Sequence, residues 1–407
     1  MTADADVLIV GGGLNGSALA LALGQAGLTS IVLDALPAEA RGDGAFDGRA
    51  YALALASVRM LGALGLWDDL AGRAQPILEI KASDGRAGEG AAPFFLHFDH
   101  AELEEGPMGH MLEDRHLRRA LLDAMADDPR ITHMPGRTVT DQDLTDGARV
   151  SLADGRVLRG RVLVGADGRR SGTAERAGIA RAGWEYRQTA LVCAVAHDLP
   201  HRGVAHQFFM PPGPLAILPL PGNRSSVVWS ETAARAARIA AMDDAAFLDA
   251  LRPCFGDVLG GIALCGARHA YPLSLSLAYR FVEDRLALVG DAAHGIHPIA
   301  GQGLNLGLRD VGALAETLAC ARRRGEDIGA IDVLERYERW RRFDATSMAV
   351  GTDVVNRLFS NDNPALRAAR DVGMGVIGAI PALRRGAMRH AAGLTGDAPK
   401  LLRGQRL

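Results

Sequence analysis

The sequence predicts an α/β fold. In it a βαβ unit at the amino terminus is completed by later segments, a mainly antiparallel β-sheet is inserted, and a helical segment ends the chain. Three observations predict it: a β-rich run that breaks at glycines and restarts as a helix over residues 6–26, short strands separated by Gly and Pro over 181–275, and helical character from 332 onward. At 407 residues the chain accommodates two or three units that share contacts. Apolar residues make up 48% and charged residues 23%, with a formal net charge of −3, so the balance is that of a soluble globular protein and offers no footprint for a nucleic acid.

Taken in order, residues 6–10 read as a strand, 14–26 as a helix and 28–33 as a strand ending at Asp34. The uncharged stretch between Asp6 and Asp34 is long enough to suggest a membrane span or signal peptide. Acids precede it, however, and Gly11, Gly12, Gly13, Asn15 and Gly16 would break a lipid-exposed helix near its start. Residues 41–49 read as a loop, 51–64 as an Ala/Leu helix, and 115–125 as a helix with Leu117, Leu121, Leu122 and Met125 on one face. Strands are expected at 148–152, 162–164, 191–197, 206–210, 215–220, 225–230 and 286–289, and a helix at 303–322. The dinucleotide unit then comprises 1–180 and 276–331, the inserted sheet 181–275 with a strand layer near 70–110 available to it, and the helical segment 332–407.

Gly11-Gly-Gly13-Leu14-Asn15-Gly16 follows a strand and opens a helix, where glycines let the backbone approach a pyrophosphate and the helix amino terminus faces its charge. Asp34 sits where an acid accepts hydrogen bonds from ribose hydroxyls, so strand, turn, helix and acid together form a Rossmann-like dinucleotide site. A second segment decides between nucleotides. Residues 286–291 are a strand ending in Gly290-Asp291, suited to a further polar portion of an extended cofactor. Pro298-Ile-Ala-Gly301-Gln302-Gly303-Leu304-Asn305 then opens a helix whose free N–H groups can stabilise negative charge on a reduced flavin, making Pro298 and Gly301 the expected flavin-edge environment. Asp167 reads equally as a cofactor contact and as a loop acid that satisfies neighbouring amides.

With Asp47-Gly-Arg49, Glu113-Asp-Arg115-His-Leu, Gly165-Ala-Asp-Gly168, the 213–221 and 290–310 runs, and Arg357-Leu-Phe-Ser-Asn361, the whole chain resembles the FAD-dependent aromatic hydroxylases of the para-hydroxybenzoate hydroxylase fold, especially the ubiquinone-biosynthesis hydroxylase family. The resemblance implies that Arg49 and Arg115 contact FAD, Asp291 its ribityl or pyrophosphate portion, and Pro298 to Asn305 the isoalloxazine. It also implies a monooxygenase using transient NAD(P)H and O2, in which a flavin C4a-hydroperoxide is attacked by a phenol ring. The chain departs from the family after Ser171, where Gly-Thr-Ala174 stands in place of an expected arginine and Arg176 is out of register.

His206, Phe208 and Trp229 are candidate substrate-pocket residues, with core packing as the alternative for each. His294 and His297 have ligand-like spacing, but no acid or cysteine cluster surrounds them, and no metal is expected. Cys193, Cys254, Cys265 and Cys320 form no CxxC pair, and the simplest reading is a reduced, cytoplasmic protein. The family implies a phenol with an isoprenoid tail, and the apolar run 371–383 can meet that tail or the inner membrane face, or else pack as a core helix. A flavin-dependent reductase on the same fold, and a non-catalytic flavoprotein scaffold in a biosynthetic complex, are the rival readings.

Overall fold

The computed structural model describes residues 3–38, 44, 46–88, 90–361 and 363–407. Its first sheet has six strands in the order Val282–Glu283, Leu286–Leu288, Val162–Gly165, Val7–Val10, Ser30–Asp34 and Ile131–Pro135. Val7–Val10 pairs in parallel with Ser30–Asp34 on one side and with Val162–Gly165 on the other, so the first strand becomes central only when a strand from far downstream is added. All four of its residues are buried. A parallel strand covered on both faces reads as a continuous apolar run, which is why Val7-Leu-Ile-Val10 lacks alternation.

The second sheet has nine strands. Its main path runs His294–Gly295, His269–Ala278, Arg181–His197, Arg224–Thr232, Gly213–Leu220, Val204–Met210, Glu79–Arg86 and Gly90–Asp99. Glu79–Arg86 joins it in parallel with Val204–Met210, so the strand layer near residues 70–110 belongs to this sheet. Alternation along the strands separates two faces. Leu191, Cys193, Phe208, Met210, Leu215, Ile217, Val227 and Trp229 pack with the helices Ala233–Ala240 and Asp244–Phe255. Ala194, Ala205, Leu218 and Leu220 face the opposite way, against Ala50, Ala52, Leu55 and Met111.

Three elements differ from the sequence expectation. Residues 50–54 form a strand rather than the start of a helix, because Ala50–Ala54 pairs antiparallel with Gly109–Glu113, and the helix begins only at Leu55. An Ala/Leu-rich stretch carries helical propensity, but a long-range ladder overrides it. The helices Ala233–Ala240 and Asp244–Phe255 lie inside the stretch read as strands, and they supply the cover that the outer sheet face requires.

The chain ends in the helices Ile331–Phe359, Pro364–Ala379 and Pro381–Ala391. Tyr337 ties the first of these to the nucleotide-binding sheet by donating to the Leu288 carbonyl at 2.7 Å. Arg370 ties the second to the larger sheet, pairing with the buried Asp84 at 2.8 Å and donating to the Leu358 carbonyl at 2.7 Å. Among the described residues no helix is long and apolar enough to cross a membrane.

Candidate functional site

The amino-terminal turn is built for close approach. Gly11 has φ +111°, and a β-carbon there would lie 2.4 Å from the Ala166 carbonyl oxygen. Only glycine meets both conditions. At Gly16 a β-carbon would fall 1.9 Å from the Gly11 oxygen, so the helix Leu14–Gln25 is pressed onto the turn. Gly13 is the N-cap with no side-chain cap, and nothing lies within 4 Å of where its β-carbon would be. The first turn of this helix, from Leu14 and Asn15 onward, is therefore without a side-chain cap and the space beside Gly13 is open, features that suit a pyrophosphate. Asp34 ends the neighbouring strand with 3% of its surface exposed, and one carboxylate oxygen accepts the Leu36 N–H at 3.1 Å.

The second turn follows Leu286–Leu288. Asp291 is half-exposed and pairs with Arg169 at 3.0 Å. Pro298 precedes the short turn Ile299–Gly301, and Gly301, with φ +62°, is the N-cap of Gln302–Arg323 with no side-chain cap. Gln302, Gly303 and Leu304 are the first helical residues, and the space beside Gly303 is open. Asn305 has a different task. Its side chain accepts from the Ala54 N–H and the Ser57 hydroxyl, each at 2.8 Å, and donates to the carbonyls of Ala52 at 2.8 Å and Gly301 at 3.1 Å. That amide fixes the turn against the Ala50–Ala54 strand.

The two turns meet. A β-carbon on Gly290 would lie 2.2 Å from Asn15 Nδ2, and one on Gly307 2.4 Å from the same atom, while Asn15 Oδ1 is buried without a protein hydrogen-bond partner. Two uncapped helix starts, an acid at a strand end and an orphaned buried amide oxygen form one continuous cradle. These residues fit an extended dinucleotide with a flavin at its far end.

Arg49 is held by Asp47 at 2.6 Å and lies 3.7 Å from Asp114, which accepts from Tyr51 at 2.9 Å. Its hydrogen bond to Asp47 raises the guanidinium pKa further. Arg115 is held by the buried Glu113 at 2.7 Å and donates to the Gly44 carbonyl at 3.0 Å. Glu113 also binds Arg224 of the second sheet at 2.9 Å, and Phe46 receives both Arg115 and Arg224 against its ring. Both predicted arginines are thus oriented by acids that the same motifs carry.

Sequence reasoning missed two further groups. Arg169 bridges Asp291 and the Ile296 carbonyl, the latter at 3.1 Å, and Arg181 donates to the Asp291 carbonyl at 3.0 Å and to that of Ala292. The arginine after Gly168 was the available signal. Behind the turn, Asp310 accepts from His294 at 2.5 Å, from Arg341 at 2.8 Å and from the Gly290 N–H at 3.0 Å. Burial raises the Asp310 carboxyl, but His294 and Arg341 outweigh it and hold the group below the ordinary carboxylate value. His294 therefore faces an acid and His297 faces Tyr186, and among the described residues no cluster of three or more His, Cys, Asp or Glu could hold a metal. Asp167 turns inward and accepts from Thr173 N–H and hydroxyl, each at 2.9 Å, while Arg176 donates to Gln142 at 3.2 Å.

His206 and Phe208 line a cavity of about 230 Å³ together with Lys81, Phe95, Met210 and Phe255. Burial lowers the His206 pKa to about 4. Trp229 is not among the lining residues: at 1% exposure it is sealed in the core, edge-on to Phe247 at 6.1 Å. Phe208 packs on the helix-covered face, whereas Ala52, beside Gly301, belongs to the cluster on the opposite face. The cavity is therefore on the far side of the sheet from the Gly301 turn.

Comparison with known proteins agrees with this geometry. Residues 4–350 match the family model described as FAD binding domain. The chain is 48% identical over 405 residues to the ubiquinone hydroxylase UbiL of Rhodospirillum rubrum, covering 98% of this chain and 93% of that one. It is 36% identical over 392 residues to the 3-demethoxyubiquinol 3-hydroxylase of Escherichia coli, covering 96% and 98%. The fold matches p-nitrophenol 4-monooxygenase PnpA of Pseudomonas putida with a TM-score of 0.80 at 23% identity, over 97% and 99% of the two chains. The cofactor of this protein is FAD, and the chain belongs to the FAD-binding-domain family.

Proposed function

We propose that this protein is an FAD-dependent monooxygenase that hydroxylates the ring of a polyprenylated phenol in ubiquinone biosynthesis, with NAD(P)H as transient reductant and O2 as co-substrate. The observation that carries the reading is the joining of the two turns through Asn15, Gly290 and Gly307, which makes one site from segments that each bind only part of a flavin nucleotide. The relationship to two ubiquinone-pathway hydroxylases over nearly the whole chain supports the substrate class. Bound FAD, once reduced, supplies oxygen activation. The protein's residues do the rest: Asp34 accepts ribose hydroxyls, the N–H groups after Gly13 hold the pyrophosphate, and Gln302 to Leu304 present N–H groups to the flavin edge.

Oxygen uptake by the FAD-loaded protein with NAD(P)H, with and without a short-tailed phenol, tests the reading. Phenol-dependent uptake with a hydroxylated product is expected. Nicotinamide oxidation coupled to reduction of the prenyl chain would replace the reading with a reductase, and flavin binding without nicotinamide consumption would replace it with a scaffold.

Peripheral contact with the inner membrane face is part of the same proposal. Phe343, at 82% exposure, and Val350, Val354 and Leu358 occupy the outer side of Ile331–Phe359, with Val376, Ile380 and Leu383 exposed on the following segments. The exposed Arg385 suits anionic headgroups, whereas Arg342 and Arg357, also exposed, pair with Glu338 at 3.2 Å and Asp353 at 3.0 Å. Of the arginines flanking 371–383, Arg370 is instead buried on Asp84 and Arg384 is paired with Glu102 at 3.0 Å. Phe343→Glu together with Val354→Glu should abolish sedimentation with anionic vesicles while leaving activity on a short-tailed phenol intact. Unchanged sedimentation would refute membrane contact.

A further inference from the structure

His297 is fully buried, and neither of its ring nitrogens has a hydrogen-bond partner. It directly precedes Pro298, where the turn toward the flavin edge begins. Tyr186 stands edge-on to it, with ring centroids 5.1 Å apart at 77°, and the buried Tyr186 hydroxyl has no partner in hydrogen-bond geometry, although the Asp353 carboxylate is near enough to act on it. Two orphaned polar groups meeting in one place demand an explanation, because buried donors and acceptors are almost always satisfied.

The backbone has been distorted to bring them together. In the ladder between Arg181–His197 and His269–Ala278, Glu185 pairs with Ser274 but the next registered pair is Thr189 with Pro272. The first strand thus bulges at residues 186–188, with Arg187 at φ +55°. Bulges and left-handed non-glycine residues collect where a side chain has to be re-aimed. Gln188 pins the bulge on one side, accepting from Asn356 at 2.9 Å and donating to the Pro212 carbonyl at 2.8 Å. Tyr186 is left on the His297 side.

The charges around the pair keep it neutral. Burial, with Arg169 adding to it, lowers the His297 pKa to about 4, so the imidazole offers one donor and one acceptor at neutral pH. Burial and the carboxylate of Asp353 raise the Tyr186 phenol, which therefore keeps its proton. Asp353 itself is engaged by Trp184 at 3.2 Å and by Arg357 at 3.0 Å.

We propose that Tyr186 and His297 together receive the ring hydroxyl of the phenolic substrate, Tyr186 donating to its oxygen and a neutral nitrogen of His297 accepting its hydrogen. This rests on the hydroxylase reading above. The hydroxyl supplies the donor and the acceptor that the pair lacks. It also holds the ring next to the Pro298 turn, and acceptance by His297 enriches the ring in electrons without removing the proton. An imidazole of such low basicity positions a phenol rather than deprotonating it.

The test uses the FAD-loaded enzyme, 2-prenylphenol and the methyl ether of that phenol. Dissociation constants are read from the perturbation of the oxidised flavin spectrum. Tyr186→Phe and His297→Leu should each weaken phenol binding roughly three- to tenfold, the loss of one hydrogen bond. The methyl ether, which has no hydrogen to give, should bind His297→Leu as it binds the unaltered enzyme, and His297→Asn should restore much of the phenol affinity. Equal losses for phenol and ether in His297→Leu, no loss of phenol affinity in either variant, or loss of FAD in place of phenol would each overturn the assignment. Should the unaltered enzyme bind and hydroxylate no phenol at all, the functional reading fails; should it do both while the variants bind phenol equally well, only this inference fails.

Discussion

Asn15 and Gly307 lie so close that a β-carbon on Gly307 would sit 2.4 Å from the Asn15 side-chain nitrogen. The first residue belongs to the amino-terminal helix and the second to the helix that opens at Gln302. Their contact sets the distance between the two ends of the cofactor cradle. Gly307→Ala should therefore destabilise the fold by about 1 to 3 kcal/mol and loosen FAD. Adding Asn15→Ala should recover part of the loss, a non-additivity that thermal unfolding of the two single variants and the double variant would measure. Strict additivity would mean that the two residues do not press on each other.

Asp34 is buried at the end of its strand and within 2.6 Å of where a β-carbon on Gly12 would stand. Removing its charged hydrogen bonds by Asp34→Ala should cost about 1.5 to 3 kcal/mol, roughly ten- to a hundredfold in FAD affinity. Dialysis against flavin-free buffer, with the retained absorbance as readout, checks this. Full retention would remove Asp34 from the site.

The buried Asp310 joins His294, Arg341 and the Gly290 N–H, so it couples the turn carrying Asp291 to the carboxyl-terminal helices. Arg341→Met leaves part of that charge uncompensated and should cost about 3 to 5 kcal/mol. Because the carboxyl is held below its ordinary pKa, its contribution is present above about pH 4 and disappears as the pH falls through the lower native value. Urea unfolding near neutrality, in parallel with flavin retention, should show both weakened, and a variant as stable as the parent would contradict the role given to this network.

His206 and His297 supply a second pH window. Burial brings both imidazoles to about 4, whereas the unfolded chain titrates near 6.5. Between those values the unfolded state binds more protons, so unfolding free energy decreases as the pH is lowered, by about 1.4 kcal/mol per pH unit for each histidine. The paired variant His206→Gln and His297→Gln should flatten the dependence of stability on pH from about 6.5 to 4. An unaltered slope would show that these two side chains do not titrate as stated.

Much of the cofactor cradle was legible because its demands are local. A glycine turn after an apolar run, an acid at the next strand end and a second glycine turn at residues 301–303 can each be recognised without knowing what they touch. The strand at Ala50–Ala54 was not legible, since its Ala/Leu composition favours helix and its partner lies at Gly109–Glu113. Nor could the sequence show that Trp229 faces the helix-covered core. One step of register exchanges the two faces of a strand, and only the neighbouring strands fix that step.

By itself the sequence determined the chemistry on offer: helix starts at glycine turns, acids at strand ends and an inserted sheet of short strands. Tertiary structure alone decided which of these came together. It set Asn15 against Gly290 and Gly307, turned His294 onto Asp310, and bulged a strand so that Tyr186 meets His297. The reason is physical: helix and turn propensities act over a few residues, whereas burial and strand pairing act between residues hundreds of positions apart.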